Sequence, residues 1–319
     1  MGFFQSLFGS KPVDAAAEQQ KNKQKQFEIF KYDGMRAQRM GRIDYAVKCF
    51  TQALALQEDF ETMGYLMQAS IQTGNPKEAH RLLLRMAELE PTHISTFLSL
   101  ANVCYMQEDY GGMRDAAERA LAIEPEDVNA LYLRGRALSG LKDPLLAIGY
   151  LTQAIALKED YVEARLLRAE TLLQLQQPTD VASDLDYLLA LDPDNEAALI
   201  LRGKLKEQTN LPQEAEADYR AVIELNPFNE QAYLLLGQLL LFQKRYEDAI
   251  LLFDEAIDLN SDFAQAYRER GNTRLLNGDK EGATEDMKRY LELNPKEGEQ
   301  ITGSFHSTEV KNDVLPGLF

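Results

Sequence analysis

The chain has 319 residues, a formal net charge of −17 and a pI near 4.7, with 27% of its residues charged. A surface this acidic excludes nucleic acid as a partner, since phosphate backbones need clustered Lys and Arg, and it favours a protein or peptide that is basic or amphipathic. No stretch approaches the length of a membrane span, and Cys49 and Cys104 stand in separate helical runs as small buried hydrophobes rather than as a disulfide frame.

Residues 1–26 are a tail and a lead-in helix. Phe3, Phe4, Leu7 and Phe8 share one face of a helical turn or two, and Gly9, Ser10 and Pro12 end it. Lys11, Lys21, Lys23 and Lys25 follow, against only Asp14 and Glu18. Two readings stand. An aromatic wedge beside a basic stretch contacts an anionic membrane surface, and Gly2 with Ser6 also fits the N-myristoylation pattern. The other reading is a disordered or back-folded tail. From Asp14 to Gln26 the chain is polar, rich in helix formers and free of Gly and Pro, so Asp14 is placed to cap a helix that runs on into the next segment.

Residues 27–297 repeat one pattern, clearest from Glu230 to Phe263. Tyr233, Leu236, Gly237 and Leu240 fall at helical spacing, Gln243-Lys244-Arg245 breaks the run, and Tyr246, Ala249, Ile250, Phe253, Ala256, Ile257 and Leu259 form a second stripe. Two short helices make a hairpin that cannot bury both faces alone, so it needs a copy on each side. The units are 27–60, 61–93, 94–127, 128–161, 162–195, 196–229, 230–263 and 264–297. Glu58, Pro91, Pro125, Glu159, Pro193, Pro227, Ser261 and Pro295 close them, with a step of 34 residues from Pro91 onward. Small residues hold the eighth position (Gly34, Ala101, Gly135, Ala169, Gly203, Gly237, Gly271) and the twentieth (Ala46, Ala79, Ala147, Ala215, Ala249, Ala283), where helices must approach closely. The second unit, 61–93, is one residue short and carries Met67 in a small position, which predicts a slightly irregular joint there.

Two further marks recur. Pro76, Pro144, Pro178 and Pro212 stand at the seventeenth position, where the first turn of a second helix tolerates proline, and Asn75 and Asp143 precede two of them as N-caps. The seventh position holds Arg134, Arg168, Arg202 and Arg270, and sixteen residues later stand Tyr150, Asp184, Asp218 and Asp286. Where the seventh is Leu236 or Leu100, the later residue is Leu252 or Ala116. The matching predicts contact across each hairpin and an ion pair inside the repeat, rather than arginines lining a groove. After Pro295, Gly298 and Gly303 interrupt residues 298–319. Val314, Leu315, Leu318 and Phe319 either fold back over the eighth unit or form a short linear motif for another protein.

With this unit length, these small positions and these closing prolines, residues 27–297 resemble the tetratricopeptide repeat family. Two departures are that the fourth position holds Arg165 as well as Tyr233 and Tyr267, and that the chain has no Trp. The resemblance implies an all-α fold, a right-handed α-α superhelix of eight helix-turn-helix repeats. It also implies a concave groove lined by the second, fifth, ninth and twelfth positions of each first helix. These are Asn129, Tyr132, Arg136 and Ser139 in repeat four, and Glu163, Leu166, Glu170 and Leu173 in repeat five. Repeat six supplies Ala197, Ile200, Lys204 and Glu207, and repeat seven supplies Gln231, Leu234, Gln238 and Leu241. Repeat eight supplies Gln265, Arg268, Asn272 and Leu275. The leucines and Ile200 in this set are expected to be partly exposed, which marks a partner surface, unless they pack neighbouring repeats together. The family's carboxylate clamp is not expected, because Arg268 and Asn272 match one element of it in the last repeat and leave no place for the others.

No chemistry is expected. His80, His93 and His306 lack a nearby Cys or carboxylate pair at ligand spacing, and the glycines sit at packing positions. The expectation is therefore a cytoplasmic, non-catalytic protein-interaction scaffold without cofactor or metal, holding a peptide or a helix of a partner in its groove. The alternative is an assembly factor tethered to the inner face of a membrane through residues 1–26.

Overall fold

The computed structural model describes residues 15–295 and 297. Among them are sixteen α-helices and no strand. They are α1 (Ala15–Arg39), α2 (Ile43–Leu56), α3 (Phe60–Gln72), α4 (Pro76–Leu89), α5 (Ile94–Met106), α6 (Tyr110–Ile123), α7 (Val128–Gly140) and α8 (Pro144–Leu157). The rest are α9 (Val162–Gln174), α10 (Pro178–Leu191), α11 (Glu196–Gln208), α12 (Pro212–Leu225), α13 (Glu230–Phe242), α14 (Tyr246–Leu259), α15 (Ala264–Leu276) and α16 (Lys280–Leu293). The chain is an all-α helical-repeat solenoid of about eight hairpins. α1 is 25 residues long because the polar lead-in runs without a breaker into the first hairpin. Its expected cap, Asp14, lies outside the described residues, as do Phe3, Phe4, Leu7, Phe8 and the segment 298–319.

Capping and turn chemistry fix each hairpin. Pro76, Pro144, Pro178 and Pro212 open second helices, and Asn75 and Asp143 accept from the backbone N–H of Glu78 and Leu146 at 3.2 and 3.4 Å. Every first helix ends on a left-handed residue: Gly41, Gly74, Glu108, Lys142, Gln176, Asn210, Lys244 and Gly278, with φ between 55° and 93°. The next N–H then reaches back five residues, as from Arg245 to the Leu240 carbonyl at 2.9 Å and from Asp279 to the Arg274 carbonyl at 2.8 Å, which satisfies a terminal acceptor. Successive left-handed residues are 34 apart except between Gly41 and Gly74. Gln57, Glu58 and Asp59 alone join α2 to α3, whereas four residues, such as Glu90 to His93, join later hairpins. The missing residue therefore lies in this connection, ahead of the second hairpin rather than inside it. Lys31 of α1 braces the short joint, with its Nζ 3.0 Å from Asp59 and 2.6 Å from Glu61.

The helices form two compact units that divide between Thr171 and Leu172. In the first unit Phe50, Leu83, Met113 and Ala137 belong to one buried cluster, and Leu131, Leu151 and Ile155 to another. In the second, Tyr219, Tyr233, Leu236, Phe253 and Ile257 form the main cluster. The eighth-position glycines are required by contact. A Cβ on Gly34 would lie 2.5 Å from the Phe50 ring, one on Gly203 would lie 2.3 Å from Tyr219, and one on Gly237 would lie 2.2 Å from Phe253. These rings are fully buried and have nowhere to turn.

The turn geometry gives a direct check. A β-branched residue is poorly tolerated at positive φ, so Gly278→Val should cost about 1–2 kcal/mol. Lys244→Gly should cost nothing or gain a few tenths, because relief of strain offsets glycine's greater freedom when unfolded, about 0.4–1 kcal/mol. Urea midpoints measure both, and equal effects at the two sites would contradict a shared left-handed turn.

Candidate functional site

The sixteen-residue matches do meet across their hairpins. Arg202 grips Asp218 with two hydrogen bonds, 3.0 Å from Nε and 2.7 Å from Nη2, and Lys206 adds a third cationic contact at 2.9 Å. Arg270 grips Asp286 in the same way at 3.0 and 2.6 Å, joined by Arg274 at 3.0 Å. Each aspartate side chain is at most 5% exposed, so these cations satisfy a buried charge. The hydrogen bonds to Asp218 hold the Arg202 guanidinium above its ordinary value. Arg134, matched to Tyr150 instead of Asp, lies over that ring at 4.4 Å. Leu236 with Leu252, and Leu100 with Ala116, share buried clusters. The arginines therefore stitch helices together rather than face a ligand.

The second, fifth, ninth and twelfth positions fall on the other face of each first helix. In the first unit Asn129, Glu163 and Glu170 are exposed, and Tyr132, Arg136, Ser139 and Leu166 are half-buried. The same spacing taken one hairpin earlier selects Ser95, Leu98, Asn102 and Tyr105 on α5, which contacts α7. Together these residues make an aromatic–cationic platform. The Arg136 guanidinium stacks 3.6 Å from the Tyr105 centroid and 5.9 Å from that of Tyr132. Tyr132 tilts against Tyr161 at 5.2 Å, and the Tyr161 hydroxyl donates to Asn129 Oδ1 at 3.4 Å. Arg136 makes no ion pair with any described carboxylate. Burial raises the Tyr132 phenol and pushes Tyr161 up to about 12, so both stay neutral at ordinary pH. Tyr105 and Asn102 were legible by the same spacing rule, but the stacking itself has no linear signature.

The second unit is more mixed. Gln231, Gln238 and Asn272 are exposed, Lys204, Leu234, Leu241 and Arg268 are half-buried, and Leu275 is 56% exposed. Leu173 and Ile200 depart from the expected exposure, since each is 5% exposed. Ile200 packs with Leu199, Val222 and Ala232 and so joins neighbouring hairpins. Arg268 pairs with Glu269 at 3.0 Å, which occupies the charge a ligand carboxylate would need.

No group of three or more His, Cys, Asp or Glu among the described residues could hold a metal ion. Cys49 and Cys104 are buried free thiols, and burial with nearby Asp109 and Asp115 pushes Cys104 up to about 11, away from the reactive thiolate. His93 Nδ1 lies 2.8 Å from Thr96 Oγ1 and the ring sits edge-on to Phe60, a local packing arrangement. No helix among the described residues is long and apolar enough to cross a membrane.

A tetratricopeptide repeat profile matches residues 132–196, 166–230, 200–262 and 234–297, together just over half of the chain. The chain belongs to the tetratricopeptide repeat family. Its fold is similar to that of a tetratricopeptide repeat protein from Parabacteroides merdae ATCC 43184, with a TM-score of 0.62 and 18% identity over 73% of this chain and 93% of that one. It is also similar to a chain of the APC/C hetero-tetramer Cut9–Hcn1, with a TM-score of 0.56 and 14% identity over 79% of this chain and 50% of that one. No curated protein matches the sequence.

In this tetratricopeptide array the paired aspartates are structural, and their removal tests that assignment. Asp218→Ala leaves Arg202 and Lys206 facing a void, at a cost of about 2 kcal/mol, less than a fully buried pair because both cations can turn toward water. The urea midpoint should fall while peptide binding at intact protein stays the same; an unchanged midpoint would refute the structural role.

Proposed function

We propose that the protein is a non-catalytic scaffold that holds an extended segment of a partner protein along the first-helix face, anchored in the first unit at Tyr105, Tyr132 and Arg136. The observation that carries this reading is the state of Arg136. It stacks on Tyr105 without a carboxylate partner, in a chain of net charge −17. The groove positions around it, from Ser95 to Ser139 in two successive hairpins, include no acid. Membership of a repeat family and the use of this fold in the Cut9–Hcn1 hetero-tetramer support a scaffold.

The chemistry specifies the partner. The guanidinium takes an acidic side chain or a carbonyl, and the tyrosine faces take an aromatic or proline ring. Asn129 and Asn102 orient backbone amides, although Asn102 already donates to Leu98 and offers mainly its oxygen. Farther along, Glu163 and Glu170 flank half-buried Leu166 and favour a basic, amphipathic continuation. In the second unit Gln231, Leu234, Gln238 and Leu241 alternate amide and apolar groups in turn, and Lys204, Asn272 and Leu275 lie at equivalent positions. Two free cysteines accord with the cytoplasm as its location.

A peptide library displayed on phage and panned on the full chain supplies test ligands. Selected peptides should carry an acid close to an aromatic or proline. Arg136→Ala and Tyr132→Ala should each weaken them by about tenfold or more, a loss of roughly 1.4 kcal/mol, with melting unchanged. Arg136→Lys should not restore binding, because an ammonium does not stack as a guanidinium does. Binding should be flat from about pH 6 to about pH 9 because the phenols do not titrate there. Leu234→Glu with Leu241→Glu tests the second unit separately. Peptides indifferent to all of these changes would remove the groove as the binding surface.

A further inference from the structure

α8 differs from every other second helix described. Each of the others carries at least two charged residues, and α8, from Pro144 to Leu157, carries none. The contrast is sharpest at its start. The eighteenth position is Asp44, Lys77, Glu247 or Glu281 in other hairpins and Leu145 here. The nineteenth is Glu78, Asp180, Glu214 or Asp248 in others and Leu146 here. No described residue covers this face: Leu145 is 69% exposed, Leu146 54% and Leu157 47%. Gly149, Thr152, Gln153 and Ala156 are exposed beside them. At about 3.6 residues per turn, all of these share one continuous arc of about 140°. Leucine recurs at the position of Leu157 in other hairpins, so Leu145, Leu146 and Gly149 are what set α8 apart. The glycine is an independent mark. A Cβ on Gly149 would meet nothing within 4 Å, whereas Gly34, Gly203 and Gly237 yield to rings inside their own hairpins. A glycine inside a helix weakens it, and no described residue requires this one.

We propose that this face binds α8 of a second copy of the chain, antiparallel and about a two-fold axis, so that the protein forms a dimer. Charge selects the occupant. Two chains of net charge −17 repel each other, and a contact between them costs least where neither presents a charge. A basic partner is steered to the acidic faces instead. A bilayer also fits poorly, because a helix that lies in a membrane interface carries Lys or Arg beside its apolar face. The register is self-complementary, as a two-fold contact requires. With the axis level with Tyr150 and Leu151, Leu145 of one copy lies against Ala156 of the other and Gly149 against Thr152, large on small throughout. Leu146 falls between Gln153 and Leu157 of the second copy. Glycine at 149 lets the two backbones approach. At the edge of the face Arg168 donates to Thr152 Oγ1 at 3.0 Å and holds that side chain in place. The face, with Leu141 in the turn before it, exposes on the order of 600 Å², so two copies bury about 1,200 Å², the lower end of the range for a specific interface. A contact of that size predicts a dimer that dissociates in the micromolar range.

Sedimentation velocity on the full chain from about 1 to about 200 µM reads the association. It should show a monomer–dimer equilibrium that tightens severalfold between about 0.05 and about 0.5 M salt, since salt screens the repulsion between the chains and no ion pair holds the contact. Leu145→Glu with Leu146→Asp copies Glu247 and Asp248 of the seventh hairpin, a pair this fold accommodates. It should weaken the dimer by about tenfold or more. Gly149→Leu copies Leu251, which is 66% exposed at the same position of the seventh hairpin. It should weaken the dimer as strongly, while its urea midpoint at low concentration stays the same or rises, because leucine is the better helix former. A chain that stays monomeric at about 200 µM overturns the proposal. So does a dimer that Gly149→Leu leaves intact or that salt dissociates. A lowered Gly149→Leu midpoint also overturns it, by showing that the glycine serves its own hairpin. Leucine changes that release another protein or anionic vesicles from a monomeric chain give the face to that occupant and sink the second copy.

Discussion

The fold depends on one spatial rule: residue n of a first helix faces residue n+16 of the second, and the two must share a fixed space. At the eighth and twenty-fourth positions the rule is steric. Gly34 meets Phe50, Gly203 meets Tyr219 and Gly237 meets Phe253, while Ala101 is matched with Ala117. A ring in the second helix is admitted only where the first helix gives up its Cβ. At the seventh and twenty-third positions the rule is electrostatic or apolar, with Arg202 to Asp218 and Arg270 to Asp286 in some hairpins and Leu236 to Leu252 in another. Each hairpin satisfies the same geometry with different chemistry, so the backbone repeats although the side chains do not. The left-handed turn at position fifteen sets this register. It holds even where the residue is Glu108, Lys142 or Gln176, because shifting it by one residue would unpair every match at once.

Much of this was legible in linear form because it leaves periodic traces. The alternation of helical stripes gives the helices, the n+16 matches give the ion pairs, and the seventeenth-position prolines give the starts of second helices. What was not legible has no such trace. Nothing in Lys244 or Glu108 announces a positive φ, since the turn is imposed by flanking helices rather than chosen by the residue. Counting from closing residues places the missing residue in the second unit, whereas helix bounds place it at Gln57–Asp59; a count fixes a spacing and cannot say which side of a loop gave way. Leu173 and Ile200 were expected on the open face and are buried, because a face position is exposed only as far as the neighbouring hairpin leaves it. The Tyr105–Arg136 stack joins residues 31 apart in separate hairpins, so only the packing of α5 beside α7 brings it together.

The charge distribution separates structure from recognition. The Arg202 and Arg270 forks each meet a buried aspartate on the facing helix and lock one register, whereas many other arginine pairs, such as Arg81 with Glu78 and Arg220 with Glu216, lie along a single helix. On the first-helix face of α5 and α7 a cation instead lies on aromatic rings, while Glu163 and Glu170 stand exposed at the equivalent positions of α9. Stacking on Tyr105 and Tyr132 limits the rotamers open to the Arg136 guanidinium.

The first and last described hairpins differ in the side chains they carry at matching positions. In the eighth hairpin polar groups gather on one large buried side chain. The twenty-seventh position, small in hairpins that hold Ala53, Ala120, Ala154 or Ala256, is Tyr290 there, 3% exposed. Its hydroxyl donates to Glu297 at 2.5 Å and Arg268 lies over its ring at 5.7 Å. Leu188 holds the same position in the fifth hairpin and is buried as well, so what sets Tyr290 apart is its polar partners. Asp286 stands where the seventh hairpin has Leu252, and arginines neutralise it. The amino end has no such substitution. Ile29 and Tyr32 keep the apolar character of an internal face, although no described element covers them.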